Sequence, residues 1–206
     1  ASTEISPAAK PLRAIGKDIS SDEALIARIA KGDKAAIRTL FARHQVRVYR
    51  FVVRMVGDPM VAEDLVNETF LEAWRQAGRF EARSTVSTWL LAIARFKALS
   101  VRRRRMLEEV DLDMAVGVVD PTDTPEMSLN RKDAGEILRK CLNSLPSFQA
   151  EVINLVYYHE KSIKEVAEIV GVPENTVKTR MFGARKRLAV MLEAAGIDRA
   201  TLWLAA

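Results

Sequence analysis

Residues 162–192, SIKEVAEIVGVPENTVKTRMFGARKRLAVML, carry the clearest structural pattern in the chain. Ser162 and Glu165 have the spacing of a capping box, which starts a helix by satisfying its free backbone N–H groups. Gly171 can adopt the left-handed conformation that ends this helix, and Pro173 fits the opening of the next one. The stretch therefore predicts a short helix, a tight turn and a longer second helix.

The second of these helices has one apolar face and one cationic face. At about 100° per residue, the predicted buried face consists of Val177, Met181, Ala184 and Leu188. Thr179, Phe182 and Lys186 point the opposite way. The basic residues beside them are Lys178, Arg180, Arg185 and Arg187. This face suits base edges and phosphates of DNA, and the alternative is that the cations only solvate the helix while Phe182 packs on a neighbour.

Charge is unevenly distributed along the 206 residues. The net charge of +5 and the pI near 9.5 favour an anionic partner. Arg102 to Arg105 form an unbroken arginine run, whereas residues 106–130 contain seven acidic residues and no Lys or Arg. Because this acidic stretch also lacks a sustained hydrophobic period, we interpret it as a flexible linker.

Apolar residues recur at helical spacing from Ser21 onward, which predicts an all-α fold of two small helical domains. Gly57, Asp58 and Pro59 end the first helical run. Further helices are predicted from about Val61 to Gln76 and from about Thr88 to Arg105. The predicted parts are a flexible tail (1–20), a first domain (21–105), the acidic linker (106–130), a helix-turn-helix domain (131–195) and a C-terminal extension (196–206).

Several functional classes are disfavoured by residues that the chain lacks. A single cysteine, Cys141, excludes an internal disulfide, and the two histidines give no zinc-ligand spacing. Neither a nucleophile with its base nor a phosphate-binding loop can be assembled, so we expect no enzyme, cofactor or metal. No apolar run approaches the ~20 residues that span a bilayer, so we expect a cytoplasmic protein without a membrane segment.

The predicted helix from Val61 to Gln76 has an unusual polar face. Its predicted buried side is made of Ala62, Leu65, Val66, Thr69 and Ala73. The opposite side consists of Asp64, Asn67, Glu68, Leu71 and Arg75. Leu71 is an apolar residue ringed by polar groups, as in partner-binding faces, but a solvated helix face is an equally open interpretation.

Several motifs in order resemble the extracytoplasmic-function (ECF) sigma factors. AEDLVNETFLEAW (62–74) and STWLLAIAR (87–95), followed by the arginine run, resemble the family's polymerase-binding and promoter-melting regions. SLPSFQAEVINLVYY (144–158) with the helix-turn-helix resembles its fourth region. The resemblance covers residues 21–105 and 131–192, nearly all of the chain outside the tail, the linker and the extension.

The resemblance implies three groups of binding residues. Those for core RNA polymerase are Asp64, Asn67, Glu68 and Leu71, with Asn67 where the family usually has glutamine. Those for the minus-ten DNA element are Arg79, Phe80, Arg83, Ser84, Thr85, Arg95, Phe96, Arg102 and Arg103. Those for the minus-thirty-five element are Lys178, Thr179, Arg180, Phe182, Arg185 and Lys186.

This chain departs from the family pattern at three promoter-facing positions. Phe96 replaces a common asparagine, Ser100 replaces a usual aspartate, and Gly183 offers no side chain where relatives often place a larger one. Phe96 lies near Trp89 on the helical wheel, so it could instead belong to the core. Phe80, an aromatic residue at a helix end, could also be a core residue.

The resemblance implies an alternative sigma factor that binds core RNA polymerase and promoter DNA. We expect it to direct transcription initiation of stress-response genes, to be held inactive by an anti-sigma factor, and to be a monomer when free. Two other interpretations stay open: a helix-turn-helix regulator independent of polymerase, and a sigma mimic that sequesters an anti-sigma factor. The regulator leaves the polar face around Leu71 and the arginine run unexplained, and the mimic leaves the DNA-facing cations unexplained.

Overall fold

The computed structural model describes residues 21–109 and 129–196. The expected N-terminal tail, nearly all of the acidic linker and the last ten residues lie outside the described residues. All regular structure in the described part is helical, as the sequence predicts. None of the helices described there combines the length and the hydropathy needed to cross a bilayer.

The helices form two groups along the chain. The first group, which we call the N-terminal unit, contains α1 (Asp22–Ile29), α2 (Lys34–Val56), α3 (Pro59–Gln76) and α4 (Val86–Glu109). The second, the C-terminal unit, contains α5 (Leu129–Asn143), α6 (Ser147–Ile153), α7 (Ile163–Val170) and α8 (Glu174–Ala194). A 3₁₀ turn (Ala77–Arg79) follows α3, and a π turn (Asn154–Tyr158) follows α6.

Local sequence explains where the first helices begin and end. Gly57 ends α2 with a φ of 69°, and Asp58 then caps α3 by accepting hydrogen bonds from the backbone N–H groups of Met60 and Val61. The sequence pattern did not separate α1 from α2. The structure places a turn there, at Gly32 with a φ of 86°, and Asp33 caps the new helix.

The predicted helix-turn-helix is present with the expected end signals. Ser162 and Glu165 form the reciprocal capping box of α7, and Gly171 ends that helix with a φ of 70°. Val177, Met181 and Ala184 are buried on α8, while Leu188 is half-buried. Cys141 is buried in the same unit, as expected.

Gly183 on α8 lies against the side chain of Gln149 on α6. A Cβ atom at this position would lie 2.8 Å from Nε2 of Gln149 on α6, closer than such atoms normally approach. A side chain at position 183 would therefore displace the end of the Gln149 side chain.

The two units pack against each other through α4 and α7. Phe51, Leu40 and Leu90 lie at the centre of the N-terminal unit, each with 0 % of its surface exposed. The apolar cluster that contains them continues into the C-terminal unit through Leu155 and Val166. We call this packing of the two units the closed arrangement.

Candidate functional site

The polar face of α3 lies on the surface as its helical spacing predicts. We call it the α3 stripe, and it consists of Asp64, Asn67, Glu68, Leu71 and Arg75. Asp64, Asn67 and Glu68 are exposed, and Leu71 keeps 49 % of its surface in solvent. Trp74, one turn further along, is 37 % exposed and was not singled out from the sequence. Its position three residues after Leu71 was the available signal, since such pairs are neighbours on a helix face. The stripe therefore presents two adjacent apolar side chains beside carboxylates.

An ion pair links this stripe to α4. The ammonium group of Lys97 lies 3.1 Å from Oε2 of Glu68, and the Glu68 side chain remains 56 % exposed. Because surface pairs of this kind contribute little to stability, Glu68 stays available to a partner.

The loop before α4 combines basic and aromatic side chains. Phe80 packs on Trp89 with ring centroids 4.9 Å apart, so the alternative that Phe80 joins the hydrophobic core is the one observed. Ala82 has a φ of 54°, an uncommon conformation for a residue with a Cβ atom. Arg79 and Arg83 are exposed nearby, with Arg83 paired to Glu81. The loop offers cations around a fixed aromatic pair.

Phe96 projects from the middle of α4 into solvent with 71 % of its surface exposed. The interpretation of Phe96 as a core residue is therefore wrong. Residues seven apart lie on nearly the same side of a helix, which aligns half-buried Trp89, exposed Phe96 and exposed Arg103. Ser100, on the same side, uses its hydroxyl to donate to the backbone oxygen of Phe96 at 3.0 Å. Trp89, Phe96 and Arg103 therefore form a row of aromatic and cationic side chains along one side of α4.

The outward face of α8 is also placed as predicted. Phe182 is 71 % exposed, so packing against a neighbour does not explain it. Thr179 is exposed, and its hydroxyl donates to the Asn175 backbone oxygen at 2.9 Å. Nε of Arg185 donates to the Tyr157 hydroxyl at 3.1 Å. The remaining candidates are exposed Lys178 and Lys186 and half-buried Arg180, whose guanidinium lies over Phe148.

Lys161 lies between the two units and was missed from the sequence. Its side chain is 5 % exposed, and its ammonium donates to the Ser87 hydroxyl at 2.6 Å and the Thr88 hydroxyl at 2.9 Å. Oε1 of Glu165 accepts from Lys161 at 2.9 Å and from Thr88 at 2.7 Å. Thr85 lies at the edge, 3.3 Å from the same Glu165 oxygen. We call these five residues the Lys161 network.

Three more contacts join the units. Arg95 binds Glu151 through two hydrogen bonds, of 2.6 and 3.2 Å. Arg54 on α2 donates to the Asn154 side-chain oxygen at 3.1 Å. The rings of Phe51 and His159 meet edge to face, with centroids 5.6 Å apart. Polar and apolar contacts thus occur together at the interface between the units.

Two groups at this interface have shifted pKa values. Burial acts to raise the pKa of Glu165, but hydrogen bonds from Thr88 and Lys161 outweigh it and bring the pKa to about 2. Burial lowers the pKa of His159 to about 4, and the positive charge of Arg54 adds to the effect. At neutral pH the interface therefore holds a carboxylate and an uncharged imidazole.

The closed arrangement distributes the candidate residues unequally. Thr85 and Arg95, both expected to meet the minus-ten element, are engaged by the C-terminal unit. Ser84 and Arg102 are half-buried, and the α3 stripe and the face of α8 remain on the surface. Within residues 21–109 and 129–196 no cluster of three or more His, Cys, Asp or Glu could hold a metal ion.

Comparison with known proteins gives two matches in sequence order. Residues 40–107 match the family Sigma-70 region 2, and residues 135–188 match the family Sigma-70, region 4. The ECF RNA polymerase sigma factor SigL of Mycobacterium tuberculosis is 29% identical over 181 residues, covering 85% of this chain and 99% of SigL. The ECF RNA polymerase sigma factor SigK of Mycobacterium bovis is 30% identical over 181 residues, covering 85% of this chain and 96% of SigK.

A solved structure shares the arrangement of helices. The co-crystal structure of the sigma factor RpoE with the anti-sigma factor NepR from Bartonella quintana aligns with a TM-score of 0.65 and 29% identity. The alignment covers 76% of this chain and 96% of the RpoE chain. The similarity therefore extends through both helical units.

Proposed function

Because this chain belongs to the ECF sigma factor family, we propose that it acts as an alternative sigma factor through the three surfaces described above. It binds core RNA polymerase and directs it to promoters of a particular set of genes. Sigma factors are non-enzymatic initiation factors. The interactions to explain are therefore the binding of polymerase and promoter DNA and the capture of unpaired bases in the opened DNA strand. The place of action is where the polymerase transcribes, the bacterial cytoplasm.

The observation that carries the proposal is the presence of separate, exposed faces on the two units. The α3 stripe offers carboxylates beside Leu71 and Trp74, the composition of a partner-binding surface with an apolar centre and a polar rim. The α8 face offers Phe182 among cations, which suits bases and phosphates. A regulator independent of polymerase would have no use for the α3 stripe.

We propose that the minus-ten DNA is held along α4. Successive unpaired bases stack on aromatic side chains, and each such contact contributes roughly 1–3 kcal/mol. Phe96 is free to stack a base, and the Phe80–Trp89 pair closes the neighbouring loop. Arg103 lies in line with Phe96 and can neutralise the strand's phosphates. In this chain, stacking on Phe96 takes the place of the hydrogen bonds that the family's common asparagine offers.

Core polymerase raises the affinity for promoter DNA by binding both units of the protein at the same time. A second DNA contact on a tethered unit forms at a high effective concentration, which raises affinity without a new interaction. We therefore expect promoter recognition by the complex with polymerase and weak recognition by the free protein. We also propose control by an anti-sigma factor, because the RpoE relative was crystallised with NepR.

Run-off transcription with core polymerase tests the function directly. The added protein should yield transcripts of defined length that core alone does not produce, whereas a sigma mimic would yield none. Promoter fragments for the assay come from selection of bound genomic DNA by the complex. Absence of any promoter-dependent transcript would refute the proposal.

One substitution tests the polymerase surface. Glu68→Lys reverses a charge at the centre of the α3 stripe and places it beside Lys97, so core association should fall at least tenfold. Glu23→Lys is the matched control, since Glu23 is exposed on α1, outside the stripe, and the same charge is reversed there. Both variants should keep the wild-type circular dichroism. Equal core binding by the two would remove the stripe from the interface.

A further inference from the structure

Two neighbouring tyrosines in the π turn contact different helices. A backbone hydrogen bond of 3.2 Å that spans five residues closes this turn, which therefore holds one residue more than an α-helical turn. The Tyr157 hydroxyl accepts a hydrogen bond from Arg185 on α8, whereas the Tyr158 ring lies 3.8 Å from the guanidinium of Arg54 on α2. Both tyrosines remain about half exposed. Only Tyr157 therefore lies beside the proposed DNA-binding face of α8.

The contact between Tyr157 and Arg185 uses only part of each side chain. Nε of Arg185 donates to the phenolic oxygen at 3.1 Å, and the guanidinium carbon lies 5.8 Å from the ring centroid. This leaves the N–H groups of both Nη atoms without a carboxylate partner among the described residues. A phenol also donates a proton, and no acceptor in the described part of the chain takes the proton of Tyr157. Both side chains thus have hydrogen-bond donors left for an anion.

A groove beside this contact is lined by cations. It has a volume of about 450 Å³ and lies between the start of α7, at Ser162, and the α8 residues Lys178, Phe182 and Arg185. These three α8 residues are spaced by four and then three positions, so they share one side of the helix. Phe182, the proposed base-reading residue, therefore has a cation on either side of it along α8. A DNA strand whose base meets Phe182 carries its neighbouring phosphates toward these cations.

We propose that Tyr157 and Arg185 together bind one phosphate of the minus-thirty-five duplex. The phenolic oxygen holds Nε of Arg185, which leaves the Nη groups for the phosphate, and the hydroxyl of Tyr157 donates its own proton to the same phosphate. Tyrosine and arginine contacts of this kind fix the position of a protein on the duplex without reading its sequence. The inference rests on the proposed function, because it adds a residue to the same DNA-binding face.

Removing only the hydroxyl tests the contribution of Tyr157. Tyr157→Phe keeps the ring beside Arg185 but removes the acceptor for Nε and the donor for the phosphate. The affinity of the polymerase complex for promoter DNA should fall about tenfold on every sequence, as for the loss of a hydrogen bond to a charged group. Circular dichroism and the melting temperature should match wild type, because the half-exposed ring stays in place.

Tyr158→Phe is the matched control. It makes the same chemical change one residue further along, on a tyrosine whose ring lies against Arg54 and not against α8. Promoter affinity of this variant should stay within about twofold of wild type, because an exposed hydroxyl that meets no DNA contributes little to binding.

Two further measurements separate a phosphate contact from simple packing. In the Arg185→Ala background, adding Tyr157→Phe should change the affinity by less than about twofold, because two residues that act on one phosphate are coupled. Uncharged methylphosphonates, placed at one backbone position at a time across the minus-thirty-five element, remove single phosphate charges. One position should weaken wild type strongly and Tyr157→Phe only slightly.

The proposed function and this inference fail in different ways. If the wild-type protein gives no promoter-dependent run-off transcript, the proposed function is wrong. If run-off is normal and Tyr157→Phe binds promoters as tightly as Tyr158→Phe does, the phosphate contact of Tyr157 is refuted. A loss of affinity that is equally large in the Arg185→Ala background, with no phosphate position affected differently, would also overturn the inference and make the hydroxyl a packing group.

Discussion

Glu165 uses its two carboxylate oxygens for two different tasks. Oε2 accepts from the backbone N–H and the hydroxyl of Ser162, each at 3.0 Å, which completes the cap of α7. Oε1 faces the other unit and accepts from Lys161 and Thr88. The capping role could be predicted from the spacing of Ser162 and Glu165. The second role could not, because Thr88 is 77 residues away in sequence.

Replacing Phe182 tests whether a single side chain discriminates between bases of the minus-thirty-five element. Phe182→Ala should relax sequence choice at one minus-thirty-five position, with a loss of discrimination of roughly 1–3 kcal/mol. The melting temperature should barely change, since 71 % of the residue's surface is already exposed. Promoter variants with single-base changes, bound to the polymerase complex, provide the measurement. Equal weakening on every sequence together with a lower melting temperature would show that the ring is structural.

His159 makes the stability of the folded protein depend on pH. Its pKa near 4 in the folded chain lies below the usual 6.5, so the folded state binds fewer protons than the unfolded state between these values. Stability contributed by neutral His159 is complete above pH 6.5 and is lost as the pH falls toward 4. The charges that disfavour its protonation are those of Arg47, Arg50, Arg54 and Lys161.

Thermal unfolding between pH 7 and pH 4 measures this effect. The melting temperature of wild type should fall across the interval, and His159→Gln should fall less steeply because no proton is taken up at that position. Asp33 and Asp58, whose pKa values are lowered by hydrogen bonds from Arg28 and Arg105, lose their stabilising contribution toward low pH equally in both proteins, so the difference in slope belongs to His159. Parallel curves for the two proteins would assign the pH dependence to other groups.

Within α8, different residues are expected to contact phosphates and bases. Arg185 lies beyond Phe182 and currently donates to the Tyr157 hydroxyl, so its guanidinium is oriented along the edge of the helix face. Arg185→Ala should weaken binding to all promoter sequences about equally and lower the salt slope by about one unit. Affinities at several salt concentrations check this. A change confined to one base position would instead make Arg185 a reading residue.

Helix faces were predictable because each depends on residues three or four apart. The buried side of α3, the capped start of α7 and the exposed face of α8 all follow from local spacing. Phe96 was ambiguous because its wheel position near Trp89 did not reveal where the core ends. The short turn at Gly32 was missed because apolar residues on both sides kept the helical period.

At the scale of the whole molecule, the contact between units was outside the reach of sequence patterns. The residues of the Lys161 network come from segments more than 70 residues apart, and a lysine beside a serine looks like an ordinary surface pair. The fold of each unit could be predicted, whereas their closed arrangement required three-dimensional contacts. Lys161 and Glu151 are therefore the interface residues that the sequence did not reveal.

An anti-sigma factor and core polymerase are expected to compete for this chain. An anti-sigma factor that binds this chain should cover faces that polymerase needs, so it should compete with core for one site. Titrating core into the purified sigma–anti-sigma complex should release the anti-sigma factor, measured by size-exclusion chromatography. A stable complex of all three proteins would contradict this expectation.

The buried Lys161 restricts how the two halves of this protein can be recombined. A hybrid that joins this N-terminal unit to the C-terminal unit of a relative without the lysine would leave Glu165, or its counterpart, without a cation opposite Thr88. The reverse hybrid would place an ammonium against whatever side chains replace Ser87 and Thr88. Grafted promoter specificity would then arrive together with an altered contact between the units.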